Sequence, residues 1–340
     1  MLFVRRFAYQ GKRAEPLAAH EERPMRIEVP YGRATQAVDI DEARVSGVVS
    51  ANEVDACDEA ATLVRALASP LGSPPLTDFL AGADDAVVIV NDATRPTPTA
   101  RVLKTILSDL VCVPRLSFVI ATGTHRPPTA QELADIFGDS YDAVWERTTI
   151  HDCRNLDAMV SIGPDASGAD IMIDRSVAEA SRIVIVGSVE PHYFAGFTGG
   201  RKAILPGVAS FETTERNHSN AMSPDARPMA LDGNPVHEGM MKALEHMDTD
   251  RMFTIMTVPN RVSGLCGATA GDVRLAFRAA VERAKDVFSV EVPGEADVVV
   301  AVAAPPLDIN LYQAHKALEN SKVVLKDGGV IILVAECREG

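Results

Sequence analysis

Side chains able to do chemistry collect in a few short stretches of this 340-residue chain. NDATRPTPT carries Asp92 and Arg95 three apart. An aspartate that accepts from its own loop backbone beside an arginine open to an anion would explain the pair, and a structural Asp–Arg turn would explain it equally. ATGTHRPP sets His125 among glycine, threonine and proline, and SVEPH ends on His192. Two imidazoles with ordinary pKa values of about 6.5 suit proton exchange on two sides of one substrate. GFTGGRKAILPG brings Gly199, Gly200, Arg201 and Lys202 together. Glycines there free backbone N–H groups for a phosphate or a closely approaching cofactor, and Lys202 is either a cation for that phosphate or an amine for a covalent bond. The plain alternative is a glycine turn with an exposed lysine. Neither the P-loop pattern nor the dinucleotide fingerprint is present.

Two further histidines, His218 in TERNHSN and His237 in GNPVHEGM, lack any close metal-binding spacing. A metal would have to be held by distant residues or by a cofactor. DINLYQAHKALEN places Gln313 and Lys316 three apart, on one face of a helix start, where they could take a carboxylate. His20, His151, His246 and His315 read as structural or exposed.

The elements that must position these groups follow from periodicity. DDAVVIVND, LSFVIA, SRIVIVGS, RMFTIMTV, ADVVVAVA and GGVIILVAE are short apolar runs, alternating with segments of helical spacing such as PTPTARVLKTILSDL and DVRLAFRAAVERAKDVFSV. Near-continuous apolar strands between helices predict an α/β protein with mainly parallel sheets and flanking helices. The polar clusters fall just after strands, where open α/β sheets bind ligands. The predicted organisation is an extension over residues 1–24, disordered, a cofactor-binding α/β domain over 25–288 and a second α/β domain over 289–340. The active site is expected in the interdomain cleft. The second domain reads as incomplete.

Bulk composition narrows the classes. A net charge of −14 without a basic block argues against nucleic acid, and no apolar run reaches the length of a membrane span. Five widely spaced cysteines without C-x-x-C fit thiols in a reducing cytoplasm.

Taken in order, NDATRP, ATGTHRP, EPHYFAGFTGGRKAILPG, RNHS and DINLYQAHKALEN resemble the nickel-dependent lactate racemase family, from about Met25 onward. The resemblance implies a racemase or epimerase of a 2-hydroxy acid, lactate or a related one. It implies a nickel-pincer pyridinium mononucleotide bonded to Lys202, with Gly199, Gly200 and Arg201 around it and His218 completing the nickel coordination. It implies His125 and His192 as the acid–base pair, and Asp92, Arg95, Gln313 and Lys316 at the substrate. Cofactor-assembly enzymes are the implied partners. Two other readings compete. One is a divalent-metal hydrolase or lyase using His218 and His237, and the other is a non-catalytic or truncated relative that binds an anionic metabolite.

Overall fold

The computed structural model describes residues 2–4, 23–52, 54, 57–260, 264–292, 294–305 and 307–340. Two compact units emerge, residues 52–289 and the pair of segments 1–51 and 290–340.

The larger unit is built on a six-stranded sheet in the order Leu265–Gly271, Met252–Pro259, Ile183–Ser188, Asp85–Asn91, Arg115–Ala121 and Thr148–Ile150. All neighbours are parallel except the first pair. The Asp85–Asn91 strand shows why these runs are apolar throughout. Val88 and Val90 join a core cluster with Leu103 and Ile106 of the Thr99–Leu110 helix, while the alternating Val87 and Ile89 are also buried. A strand covered on both faces loses the polar alternation of a half-buried one. Strand order reverses between Asp85–Asn91 and Ile183–Ser188. The chain steps outward from Asp85–Asn91 through Arg115–Ala121 to Thr148–Ile150, then returns to the other side. Such a switch point opens a crevice at the carboxyl ends of the two strands.

The smaller unit has a sheet in the order Leu325–Val334, Ala296–Val302, Leu2–Val4 and Val45–Val48. It also holds the Pro24–Tyr31/Ala34–Asp41 hairpin and the Leu311–Ser321 helix. Its hairpin turn needs Gly32 at φ +58°, and the Gly32 N–H donates to Asp308 at 3.0 Å.

This division corrects two expectations. Residues 25–51 do not open the larger domain; they cluster with 290–340, because their backbone pairs within that unit. Leu2–Val4 is no free extension, since it pairs with Val298–Val300 and with Val45–Val48. The rest of the expected disordered segment, residues 5–22, lies outside the described residues. The larger unit ends just after the Val273–Phe288 helix. Among the described residues no helix is long and apolar enough to cross a membrane.

Candidate active site

The crevice at the switch point is stitched across by hydroxyls. Asn91 Nδ2 donates to Thr97 Oγ1 at 2.7 Å, and Thr97 Oγ1 donates to Ser188 Oγ at 3.0 Å. The loop after the first strand then turns on Asp92. Its Oδ1 accepts from the Thr94 N–H at 3.2 Å and from Thr94 Oγ1 at 2.6 Å. The other carboxylate oxygen, Oδ2, meets His125 Nδ1 at 2.7 Å. Burial alone would raise the Asp92 pKa. The hydrogen bond and charge of His125, with Thr94 and Arg95, outweigh it and hold the carboxyl below its usual value. Asp92 therefore stays an anion and fixes a proton on His125 Nδ1, which leaves Nε2 as the open nitrogen. Arg95 is half-buried, and among the described residues its guanidinium makes no hydrogen bond or ion pair.

The loop after the Ile183–Ser188 strand folds into a two-residue ribbon, Pro191–His192 against Gly196–Phe197. His192 is buried, and its Nδ1 accepts from the Ala195 N–H at 3.2 Å, so the neutral ring carries its proton on Nε2. The two imidazoles are thus held in opposite tautomers. Gly196 sits at φ +75°, and a Cβ there would lie 2.0 Å from the Ala230 carbonyl oxygen. Gly196→Ala is expected to push the His192 turn away and cost about 1–3 kcal/mol, read as a lower denaturant midpoint at unchanged m-value.

Lys202 lies on the short 3-10 turn Gly200–Ala203 and is only 8% exposed. Gly199, at φ +82°, has no room for a Cβ, which would meet Val189, the Ser188 carbonyl oxygen and the Met256 sulfur within 3.0 Å. Gly200 is blocked in the same way by Phe277. These glycines are required by the packing of the turn against neighbouring strand and helix residues, a reason the sequence alone does not reveal. Gly123 N donates to the Gly207 carbonyl at 3.0 Å, tying the His125 loop to the same turn.

His218 comes from the Phe211–Ser219 helix, capped by Ser210. Its Nε2 is enclosed and, among the described residues, has no hydrogen-bond partner. Burial first, then the charges of Lys202, His125 and Arg95, push its pKa down to about 3. Lys202, His125 and Arg95 therefore lie near the His218 ring. Phe194 is the packing hub that sequence reading passed over. Its ring lies 4.6 Å from that of His192 and 5.0 Å from that of His218, and Lys202 Nζ is 5.8 Å from its centre. Its only sequence signal was the aromatic HYF run.

Asp92, Arg95, His125, His192, Lys202 and His218 are thus brought together at the ends of the two strands. Arg201, placed by the resemblance beside the cofactor, turns its side chain the other way: it is 1% exposed and bonds protein carbonyls and His237. Gln313 and Lys316 belong to the smaller unit, where Lys316 Nζ donates to Gln313 Oε1. His237, the second ligand of the hydrolase reading, already accepts from a guanidinium, which opposes a cation there.

A neutral, enclosed imidazole nitrogen without a partner suits a metal of borderline softness such as nickel. Among the described residues no group of three or more His, Cys, Asp or Glu could hold one. The residues present fit a metal whose other ligands belong to a non-protein group. His218 and His237 also set a pH dependence. Both have folded pKa values of about 3, below the unfolded value of about 6.5. In that window the unfolded chain binds more protons, so stability is full above the unfolded pKa and falls as pH drops toward the folded one. Urea titrations at pH 7, 6, 5 and 4 are expected to show progressive loss, smaller in His237→Gln.

Fold and site define an α/β protein that brings two imidazoles and a buried lysine together at a switch point. The chain belongs to the lactate racemase family. The lactate racemase N-terminal domain matches residues 31–228, and the C-terminal domain matches residues 292–340. Lactate racemases of Thermoanaerobacterium thermosaccharolyticum and Lactiplantibacillus plantarum are each 34% identical over 324 residues, 92% of this chain and 75% of theirs. The solved lactate racemase apoprotein of T. thermosaccharolyticum superposes with a TM-score of 0.85 at 34% identity, covering 93% of this chain and 75% of that one. A Thermotoga maritima protein structure shares the fold, with a TM-score of 0.62 at 22% identity over 75% of this chain and 68% of its own. The family is one of isomerases, and it implies a nickel cofactor.

Proposed function

We propose that this chain racemises or epimerises a 2-hydroxy acid, lactate or a close relative, with a nickel-pincer pyridinium mononucleotide bonded to Lys202. The observation that carries the reading is the pair of histidines in opposite tautomers, converging with a buried lysine and a partnerless imidazole nitrogen. Lys202 would hold the cofactor through its amine, and His218 Nε2 would complete the metal's coordination. When bound, that cofactor supplies a reversible acceptor for the hydride on the substrate's Cα.

The chain's own residues do the rest. Arg95 binds the substrate carboxylate, since its guanidinium lies near Asp92 and His218 and makes no described hydrogen bond or ion pair. His125 takes the hydroxyl proton on Nε2, and Asp92 stabilises the imidazolium that results. His192 offers its Nε2 proton to the substrate oxygen from the other ring. For His192 to act as the base, its Nδ1 must instead hold the proton, which breaks the bond from Ala195. The two directions of reaction therefore use the two rings unequally. Phe194 walls the pocket and keeps water from the aligned groups. The free cysteines suit a cytoplasmic setting, where the assembly enzymes for such a cofactor would act as partners.

The test is expression together with enzymes that assemble the cofactor, followed by peptide mass, nickel content and chiral chromatography of a 2-hydroxy-acid panel. The expected result is an adduct on the Lys202 peptide and racemisation of at least one member. An unmodified Lys202 under those conditions overturns the cofactor assignment.

A further inference from the structure

We propose that His237 is a positioning residue for the reaction: acting through Arg201, its imidazole holds in place the turn that carries Lys202. The proposal rests on the reading of Lys202 as the cofactor-bearing residue.

Arg201 is a buried cation surrounded by neutral acceptors. Its Nη2 donates to the Ala195 carbonyl at 2.8 Å, and Nη1 donates to the Gly199 carbonyl at 3.1 Å and the Thr198 carbonyl at 3.4 Å. These carbonyls lie on both sides of the loop, next to the His192 turn and next to the Lys202 turn. The guanidinium also lies 4.3 Å over the Phe277 ring. Its Nε donates to His237 Nδ1 at 2.9 Å. Without that acceptor, one N–H of a fully enclosed cation would have no partner, a costly arrangement that the fork would relieve by shifting.

His237 itself is rigidly placed. It is 7% exposed and stacks toward Phe277 with ring centres 6.4 Å apart. Burial first, then the charges of Arg201 and Arg278, hold its pKa at about 3, so the ring remains a neutral acceptor at working pH. It occupies the first turn of the Pro235–Glu245 helix, whose cap is Asn234. Asn234 Nδ2 donates to the Phe194 carbonyl at 2.9 Å, and the Val236 carbonyl accepts from Asn217 Nδ2 at 3.2 Å. One helix corner, residues 234–237, thus grips three segments at once. Asn234 holds the turn after His192, Val236 the residue before His218, and His237 the guanidinium one residue before Lys202. A neutral acceptor also leaves the charge of Arg201 uncancelled beside the lysine turn, which a carboxylate at 237 would not do.

The experiment compares His237→Leu, which removes the acceptor, with His237→Gln, which keeps one. In the cofactor-loaded enzyme, His237→Leu is expected to lower kcat roughly 30- to 100-fold with KM changed by less than about threefold, as misplacement of a reacting group does. In both loaded and unloaded protein, hydrogen exchange should quicken over residues 193–203 and stay unchanged in the central strands. His237→Gln should restore both readouts to within about fivefold of the parent. A leucine variant with parental kcat and exchange overturns the proposal. So does a glutamine variant no better than leucine, or exchange that quickens throughout the sheet. If the parent protein proves not to be a racemase, the exchange comparison still decides the positioning role by the same criteria.

Discussion

Lys202→Arg is expected to abolish racemisation, by roughly a thousandfold or more, while the thermal transition barely moves. The substitution keeps a cation near Phe194 and His218 but removes the primary amine able to bond a cofactor. Lys202→Ala is expected to lose activity equally, with one difference. Lys202 is the largest charge depressing the His218 pKa, after burial. Removing it should raise that pKa, while burial keeps it below the usual value of about 6.5. NMR titration of His218 in the alanine and arginine variants checks both halves. A shift in the alanine variant alone means that the lysine charge acts on the imidazole. Retained racemisation in the arginine variant would sink the covalent role.

The second large effect is expected at Asp92. Asp92→Asn should lower kcat by about a hundredfold to ten-thousandfold with little change in KM. The carboxylate fixes the His125 tautomer from 2.7 Å and carries the negative charge that an imidazolium needs. An amide there presents either an N–H or a weaker oxygen, and Thr94 already occupies one side of the group. His125→Ala should cost a similar factor, and the double variant hardly more, because the two residues act as one unit. A simple product of the two losses would mean that they work independently. Stability should fall too. The folded Asp92 pKa is depressed, so its contribution is present above the unfolded value of about 3.9 and disappears as pH falls through the folded one. At pH 7 the asparagine variant therefore melts at a lower temperature than the parent. Below the folded pKa the difference closes.

Much of this site was legible because its parts are local. VVIV, FVIA and IVIV announce buried strands, and the polar residues that follow them sit at strand ends whatever the sheet order. Asp92, Arg95, His125, His192, Lys202 and His218 were all marked by that placement or by the ordered motifs, and the structure brings them together. Phe194 was not marked as part of it, and His237 was marked only as a metal ligand in the hydrolase or lyase reading. Neither an aromatic nor a histidine carries a local sign of which group it will touch. The Leu265–Gly271 strand escaped because GLCGATAG lacks a branched apolar run; its edge position and antiparallel pairing with Met252–Pro259 are non-local facts.

The sequence by itself determined the class of fold, the chemistry available and the register of each functional residue at a strand end or helix start. These depend on side-chain type and on spacing over a few residues. Only the tertiary structure decided three matters. It put the reversal of strand order between Asp85–Asn91 and Ile183–Ser188, so that the Asp92 and His192 loops share a crevice. It joined residues 23–51 to 290–340 instead of to the neighbouring sheet. It aimed Arg201 into the protein and Lys202 into the pocket, although they are adjacent in sequence. Strand partners and side-chain directions are chosen by contacts between residues far apart in the chain. A strand apolar on both faces does not encode its neighbours, and an arginine does not encode the carbonyls that will receive it.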